Sequence, residues 1–328
     1  YTCVRECPVK AIKIVNGQAE VIPERCIACG NCTIVCSQGA KVFVKNHEEV
    51  LSLLEQQGRL AALVAPSFAA EFDELEDHRI LVGMLRKLGF SLVLEVAFGA
   101  DLVTDRYLKL LYANPGRTYI SSDCPAIVNY IEHYRPEVIE HLIPVVSPMV
   151  ATTRAARQMY GKDLRVVFIG PCIAKKEESS ETDLVITFRE LRQMLKMRGI
   201  DPEHTVPSEF DPPMGGKGAI FPVSRGMMHS MNLSENVFEE NVLVASGRGN
   251  FQEAIKELVS GSVVPKHMEL LCCEGCIMGP GMSRGAQKFA GASKISRYVK
   301  EKLENLDEHA WQENIRQFAD LDLSRTFV

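Results

Sequence analysis

From residue 46 onward, apolar positions fall into blocks that switch between a strand-like and a helix-like period. Residues 46–60 place Val50, Leu51, Leu53, Leu54 and Leu60 on one face and predict a helix, with Asn46 as N-cap. Residues 60–67 read as a buried strand ending in a loop. Residues 80–88 predict a helix stopped at Gly89, residues 91–96 a strand, and residues 99–113 a helix. Residues 118–122 and 164–170 predict strands leading straight into Cys124 and Cys172. Between them, residues 146–160 predict a helix with Ser147 and Pro148 at its start. A polar loop at 178–183 precedes a strand from Leu184 and a helix over 188–198 that ends at Gly199. Residues 207–218 are a Pro- and Gly-rich loop. Short strands are expected at 219–221 and 242–244, a helix at 251–260, a strand at 269–273, and helices at 285–299 and 300–318. Strands alternating with helices predict an α/β domain, in which sites gather at strand ends.

Residues 1–45 differ. Two short strands, at 11–15 and 20–23, flank an Asn16-Gly17 turn inside a cysteine-rich segment.

Composition narrows the function classes. The 328 residues are enough for about two domains. A net charge of −5 with no basic block makes nucleic acid a poor partner. No apolar run approaches the roughly 18 residues of a membrane span. Tyr1 is not a native start, so further chain is expected before it. Eleven cysteines, several of them clustered, point to metal binding in a reducing, cytoplasmic setting rather than to disulfides.

Cys26-x-x-Cys29-x-x-Cys32-x-x-x-Cys36 has the spacing of a bacterial iron–sulfur loop, and Cys3 to Cys7-Pro8 reads as the end of a second such loop. A zinc ribbon is the competing reading, but zinc cysteine pairs usually stand well apart. The stretch 268–282 carries Cys272, Cys273 and Cys276 among three glycines. Alone it fits half a zinc site, a redox pair or iron–sulfur ligands. With Cys124 and Cys172 upstream, Cys272 and Cys276 complete four thiolates from three loops, enough for one 4Fe–4S cluster. Cys273 reads as a buried small hydrophobe or incidental thiol. Met227 and Met228 read as core, the histidines show no metal spacing, and Gly247-Arg248-Gly249 lacks the third glycine of a nucleotide fingerprint.

Residues 1–45 resemble a two-cluster bacterial ferredoxin. By that resemblance Cys7, Cys26, Cys29 and Cys32 hold one 4Fe–4S cluster. Cys3 and Cys36 hold a second, whose other ligands would lie before Tyr1. The three later loops resemble the catalytic domain of iron-only (FeFe) hydrogenases. They match its T-S-C-C-P loop at Ser121-Ser122-Asp123-Cys124-Pro125. They match its P-C-x-x-K-x-x-E loop at Pro171, Cys172, Lys175 and Glu178. The third loop matches at residues 270–281. The resemblance runs from about residue 1 to 320. It implies an α+β ferredoxin-like domain over 1–45 followed by a two-lobed α/β hydrogenase catalytic domain over 46–328. It implies that Cys124, Cys172, Cys272 and Cys276 hold a 4Fe–4S cluster. Cys276 would also bridge to a diiron subsite with CO, cyanide and a dithiolate bridge, installed by maturation enzymes. Lys175 would donate to a cyanide ligand, and Ala65, Pro66, Ser67, Pro148, Pro171, Phe221 and Glu178 would surround the group.

Departures from the family pattern carry information too. Asp123 stands where the family places a proton-passing cysteine. Tyr107, Leu110 and Ile143 fall where its relay continues, and Gly170 and Leu270 replace two methionines. The expected function is therefore slow, reversible H2 oxidation and proton reduction, suited to sensing. Its partners would be H2, protons and a redox partner such as ferredoxin or a signalling protein. The alternative is a non-catalytic iron–sulfur scaffold or electron-transfer protein. Lys175 and Glu178 beside an Ala65-Pro66 pocket favour the first reading, since a plain scaffold has no use for them.

Overall fold

The computed structural model describes residues 1–56, 58–233, 241–283 and 287–328. Asn16 at φ 48° and Gly17 at φ 77° turn the chain between β1 (Ile12–Val15) and β2 (Gln18–Val21), an antiparallel pair. Two consecutive positive φ values are what a two-residue hairpin turn needs, and Asn-Gly supplies them at least cost. Short helices at Thr2–Arg5 and Asn31–Ile34 flank this hairpin.

The remaining strands are β3 (Leu60–Val64), β4 (Leu92–Glu95), β5 (Tyr119–Ile120), β6 (Arg165–Gly170), β7 (Leu184–Thr187), β8 (Val242–Ser246) and β9 (His267–Leu271). Every residue of β3, β4 and β9 is buried. Such strands have no polar face and need cover on both sides, which a parallel sheet under helices provides. They form two parallel sheets, ordered β4-β3-β6-β7 and β5-β9-β8. One apolar core surrounds the first sheet. A second joins Ile120, Ile127, Phe251 and Met268 to Cys3, Cys7 and Ile27 of the N-terminal segment.

Most predicted elements are present, with boundary changes that have physical causes. The first helix of the larger region is His47–Leu54, because Leu60 is drawn into β3; Asn46 stands at its N-cap as expected, but its side chain donates to Val185 O rather than capping the helix. Residues 219–221 are not a strand: the chain makes a 3-10 turn at Lys217–Ile220, held by Asp101 accepting from the amides of Gly216 (2.5 Å) and Gly218 (2.6 Å). The last strand is His267–Leu271, two residues earlier than expected. The break predicted at residue 300 is absent; one helix runs Lys288–Glu304 and a second Glu308–Gln317. The expected start of the first of these, Gly285, lies outside the described residues.

Helix Pro125–Tyr134 was not anticipated, although Pro125 at its first turn and the spacing of Ile127, Tyr130, Ile131 and Tyr134 are helical signals. Buried Glu95 accepts from Lys302 Nζ (2.7 and 2.8 Å), Tyr298 Oη (2.7 Å) and the Gly215 amide (3.1 Å), pinning the long C-terminal helix to β4. No described helix is long and apolar enough to cross a membrane.

Candidate metal centre

The strands of both sheets deliver their carboxyl ends to one place. β3 leads into Ala65, Pro66 and Ser67, β6 into Pro171 and Cys172, β5 into Cys124, and β9 into residues 272–276. Glycines let these loops touch. A Cβ on Gly279 or Gly281 would come within 2.5 or 2.7 Å of Pro171 O, and the Gly281 amide donates to that oxygen at 2.7 Å. Gly275, at φ 83°, takes a conformation that side chains disfavour as the chain passes Pro222 and Val223, just after Phe221.

Five thiols gather on these loops: Cys124, Cys172, Cys272, Cys273 and Cys276. Burial pushes the Cys276 thiol well above its ordinary value, and the charges of Cys124, Cys172, Asp123 and Cys273 add to the shift. Burial likewise raises Cys273, with Cys172 and Cys124 contributing. Burial and then Cys172 push Cys124 to about 12. Burial also raises Cys172. Cys124, Cys172, Cys273 and Cys276 therefore interact pairwise, and Cys272 interacts with Cys124 and Cys273. Cys124, Cys172, Cys273 and Cys276 are half-buried, whereas Cys272 is buried. Among the described residues no three His, Cys, Asp or Glu side chains stand close enough to share a single metal ion. Thiolates gathered from three loops repel one another and suit a polynuclear cation, whose charge relieves the repulsion. The residues fit a 4Fe–4S cluster on that ground.

Cys272 behaves differently. Only 1% exposed, it belongs to the second apolar core. Its thiol donates to Cys29 of the N-terminal segment, and its backbone amide donates to Cys124. Cys124 and Cys273 also act on its thiol, and Cys124 and Cys172 pack against the core that holds it, so Cys272 stands among the converging thiols as the sequence leads one to expect, with Cys273 beside it.

Lys175 Nζ donates to Glu178 Oε2 at 2.7 Å and to the Asp123 carbonyl at 3.1 Å. Glu178, whose side chain has no exposed surface, also accepts from Ser147 Oγ (3.0 Å) and Arg325 (3.3 Å). Pro148 follows Ser147 and opens helix Pro148–Tyr160. Burial raises the Asp123 carboxyl to about 6, against the pull of Lys175. Its Oδ1 and the Ser67 hydroxyl are buried with no hydrogen-bond partner among the described residues, as groups awaiting a ligand are. Tyr107 Oη shares 2.8 Å with Ser122 Oγ and accepts the Ser122 amide at 2.9 Å, so its hydroxyl is spoken for; Ile143 is fully buried. A Cβ on Gly170 would lie 2.6 Å from the Phe168 ring and 3.0 Å from Ala65, so that ring fills the space a larger residue would take.

In the N-terminal segment Cys7, Cys26, Cys29 and Cys32 interact. Burial raises Cys26, with Cys29 and Cys7 contributing; burial raises Cys32 to about 11, with Cys29, Cys26 and Cys7 contributing. Cys29 is held at about 6, first by the hydrogen bond from Cys272 and then by the Asn31 amide and Arg248. Cys3 is buried in the second core, while Cys36 faces the amides of residues 38–41, led by Lys41. The segment docks through Gly30, where a Cβ would meet Ile173 at 2.6 Å and Pro280 at 2.7 Å, and through Gln252 donating to Pro8 O at 3.0 Å. Arg248, read from sequence only as part of a weak glycine motif, faces both Cys29 and Cys273; its Nε has no partner among the described residues.

Comparisons with known proteins agree with the fold. The family model "Iron only hydrogenase large subunit, C-terminal domain" matches residues 58–280. NADP-reducing hydrogenase subunit HndD of Solidesulfovibrio fructosivorans is 28% identical, over 78% of this chain and 55% of that protein. The cytosolic Fe-S cluster assembly factor NAR1 of Kluyveromyces lactis is 28% identical, over 54% of this chain and 42% of its own. A variant of FeFe-hydrogenase HydA1 from Chlamydomonas reinhardtii superposes with TM-score 0.66 at 22% identity, covering 87% of this chain and 96% of that one. That likeness is one of fold. The chain spans about half the length of the curated hydrogenases it matches, 55% and 54% of two of them. With the family model matching well over half of its residues, the chain belongs to the family of the iron-only hydrogenase large subunit, C-terminal domain.

Proposed function

We propose that this protein couples H2 and protons to a redox partner at a slow, regulatory rate, with residues 1–45 serving as a ferredoxin-like electron entry. The observation that carries this reading is the meeting of the cysteine thiols of three loops with the Lys175–Glu178 pair and the partnerless Ser67 Oγ and Asp123 Oδ1. When bound, a 4Fe–4S cluster joined to a diiron unit with CO, cyanide and a dithiolate bridge supplies the electron store and the open iron position that H2 chemistry needs. Around it, the protein holds an ammonium at Lys175 Nζ, fixed by Glu178 and the Asp123 carbonyl, that suits an anionic ligand. Ala65, Pro66 and Pro171 are buried beside it and exclude water.

Proton supply is the weak part. Tyr107 spends its hydroxyl on Ser122, while Leu110 and Ile143 carry no exchangeable proton. Low turnover suits a sensor that reports H2 to a ferredoxin or signalling protein in a reducing cytoplasm, and eleven free thiols fit that compartment. The non-catalytic reading is favoured by one observation, the similarity to an Fe-S cluster assembly factor. An infrared spectrum of protein produced with hydrogenase maturation enzymes separates the two. CO and cyanide stretches with slow H2 uptake are expected. A spectrum without those bands leaves the scaffold, and turnover matching a fast hydrogenase overturns the regulatory reading.

A further inference from the structure

Residues 144–147 and 323–325 run side by side. The Val146 amide donates to Leu323 O at 2.9 Å, the Arg325 amide donates to Pro144 O at 3.2 Å, and Val145 bridges Ser324 in antiparallel register. Further contacts hold the second segment down. Leu323 is buried, and Arg154 donates to Asp322 O at 2.6 Å. Phe327 packs against the second apolar core, and the Arg325 guanidinium lies 4.9 Å from the centre of its ring. This pairing carries two donors to one carboxylate. Ser147 Oγ donates to Glu178 Oε2 at 3.0 Å, and Arg325 donates to Glu178 Oε1 at 3.3 Å. Lys175 Nζ donates to the same Oε2 at 2.7 Å. The Glu178 side chain has no exposed surface, and that of Arg325 is 20% exposed.

We propose that Arg325 is a positioning residue for Lys175, acting through Glu178 so that the ammonium is held ready for an anionic group. This rests on the proposed function, which puts such a group beside Lys175. A carboxylate sealed from water needs a compensating charge and a donor on each oxygen. With Lys175 as its only cation, Glu178 would draw on the whole of that charge, and its Oε1 would have no donor among the described residues. Arg325 fills Oε1 and brings a second positive charge. An ammonium has three N–H donors. Lys175 gives one to Glu178 and one to the Asp123 carbonyl, which leaves the third for a ligand. Glu178 thus fixes where the ammonium sits, and Arg325 fixes Glu178. The Phe327 ring in turn orients the guanidinium. Arg325 stands 147 residues along the chain from Glu178, so only the pairing of segments 144–147 and 323–325 brings it to the site.

The test uses the whole chain with reconstituted iron–sulfur clusters, and a synthetic diiron dithiolate complex bearing CO and cyanide as the probe. The half-saturating concentration of probe gives the affinity, and the infrared spectrum of the loaded chain gives the cyanide stretches. Arg325→Gln should keep its cluster iron and circular dichroism, weaken retention of the probe by about tenfold, the low end for groups that orient a binding residue, and move a cyanide band. Arg325→Lys, which keeps the charge, should recover most of the affinity and the band position. In a Glu178→Gln background, adding Arg325→Gln should cause no further loss, because Arg325 acts through that carboxylate. Unmoved bands with unchanged affinity in Arg325→Gln overturn the proposal. So do losses that simply add in the double variant, as they would for a segment that only packs, and so does a lysine as damaging as the glutamine. Should Arg325→Gln not fold, Phe327→Leu, which removes only the ring that orients the guanidinium, takes its place: a moved band supports the proposal and an unmoved one overturns it. Unaltered protein that binds no probe would instead remove the proposed function, and this inference with it.

Discussion

Asp123 shows how much one position depends on what stands behind it. Its carboxyl lies beside Cys124, with Oδ1 free of partners among the described residues and Lys175 donating to its own carbonyl. A well-placed proton carrier is worth about 10²–10⁴ in rate. That gain requires a chain of exchangeable groups, and the next places hold an engaged Tyr107 hydroxyl and the apolar Leu110 and Ile143. Asp123→Cys is therefore expected to raise H2 turnover of matured protein by less than about tenfold. A gain of a hundredfold or more in a standard H2-evolution assay would place the whole defect at this residue.

At the scale of elements, the short helix Asn31–Ile34 does more than its four residues suggest. Gly30 caps it at φ 71°, against Ile173 of one cysteine loop and Pro280 of another. Gly30→Ala must hold a left-handed conformation, at about 1–2 kcal/mol, and must push its Cβ into both neighbours. The docked state should lose ground by roughly 5- to 30-fold. Limited proteolysis in residues 36–46 should accelerate accordingly while iron at the central site stays constant. Unchanged proteolysis would mean that the other contacts, Gln252 to Pro8 and Tyr134 to Arg25 (2.6 Å), hold the segment alone.

For the molecule as a whole, buried titratable groups set the pH range of stability. His267 in β9 is 1% exposed, with both ring nitrogens unpartnered among the described residues; burial lowers it to about 4. Its folded value lies below the unfolded one of about 6.5, so its contribution is complete above pH 6.5 and lost as pH falls toward 4. The loss over that window is about 3 kcal/mol. Glu269 acts in the opposite sense: burial raises it to about 8, so stability falls as pH rises from about 4.5 to 8. Urea titrations of unaltered protein and His267→Phe at several pH values isolate the first contribution. The difference between the two should shrink by about that amount between pH 6.5 and 4. A pH-independent difference would show that His267 titrates normally.

The sequence alone determined much of this. Alternating strand and helix periods placed the sheets, Asn16-Gly17 placed the hairpin, and cysteine spacing marked the metal chemistry, because each is a local signal carried by adjacent residues. Helix Pro125–Tyr134 carries its signal locally too, in Pro125 and the spacing of Ile127, Tyr130, Ile131 and Tyr134. Other features had no local signal. That Cys272 also meets Cys29 of the N-terminal segment depends on where that segment docks. Arg248 reaches Cys29 only because the N-terminal segment docks on the second sheet. Asp101 and Glu95 tie down loops more than a hundred residues away. Spacing along the chain tells which residue types are available; the side on which each one points is decided by packing between segments distant in sequence, and only the tertiary structure carries that.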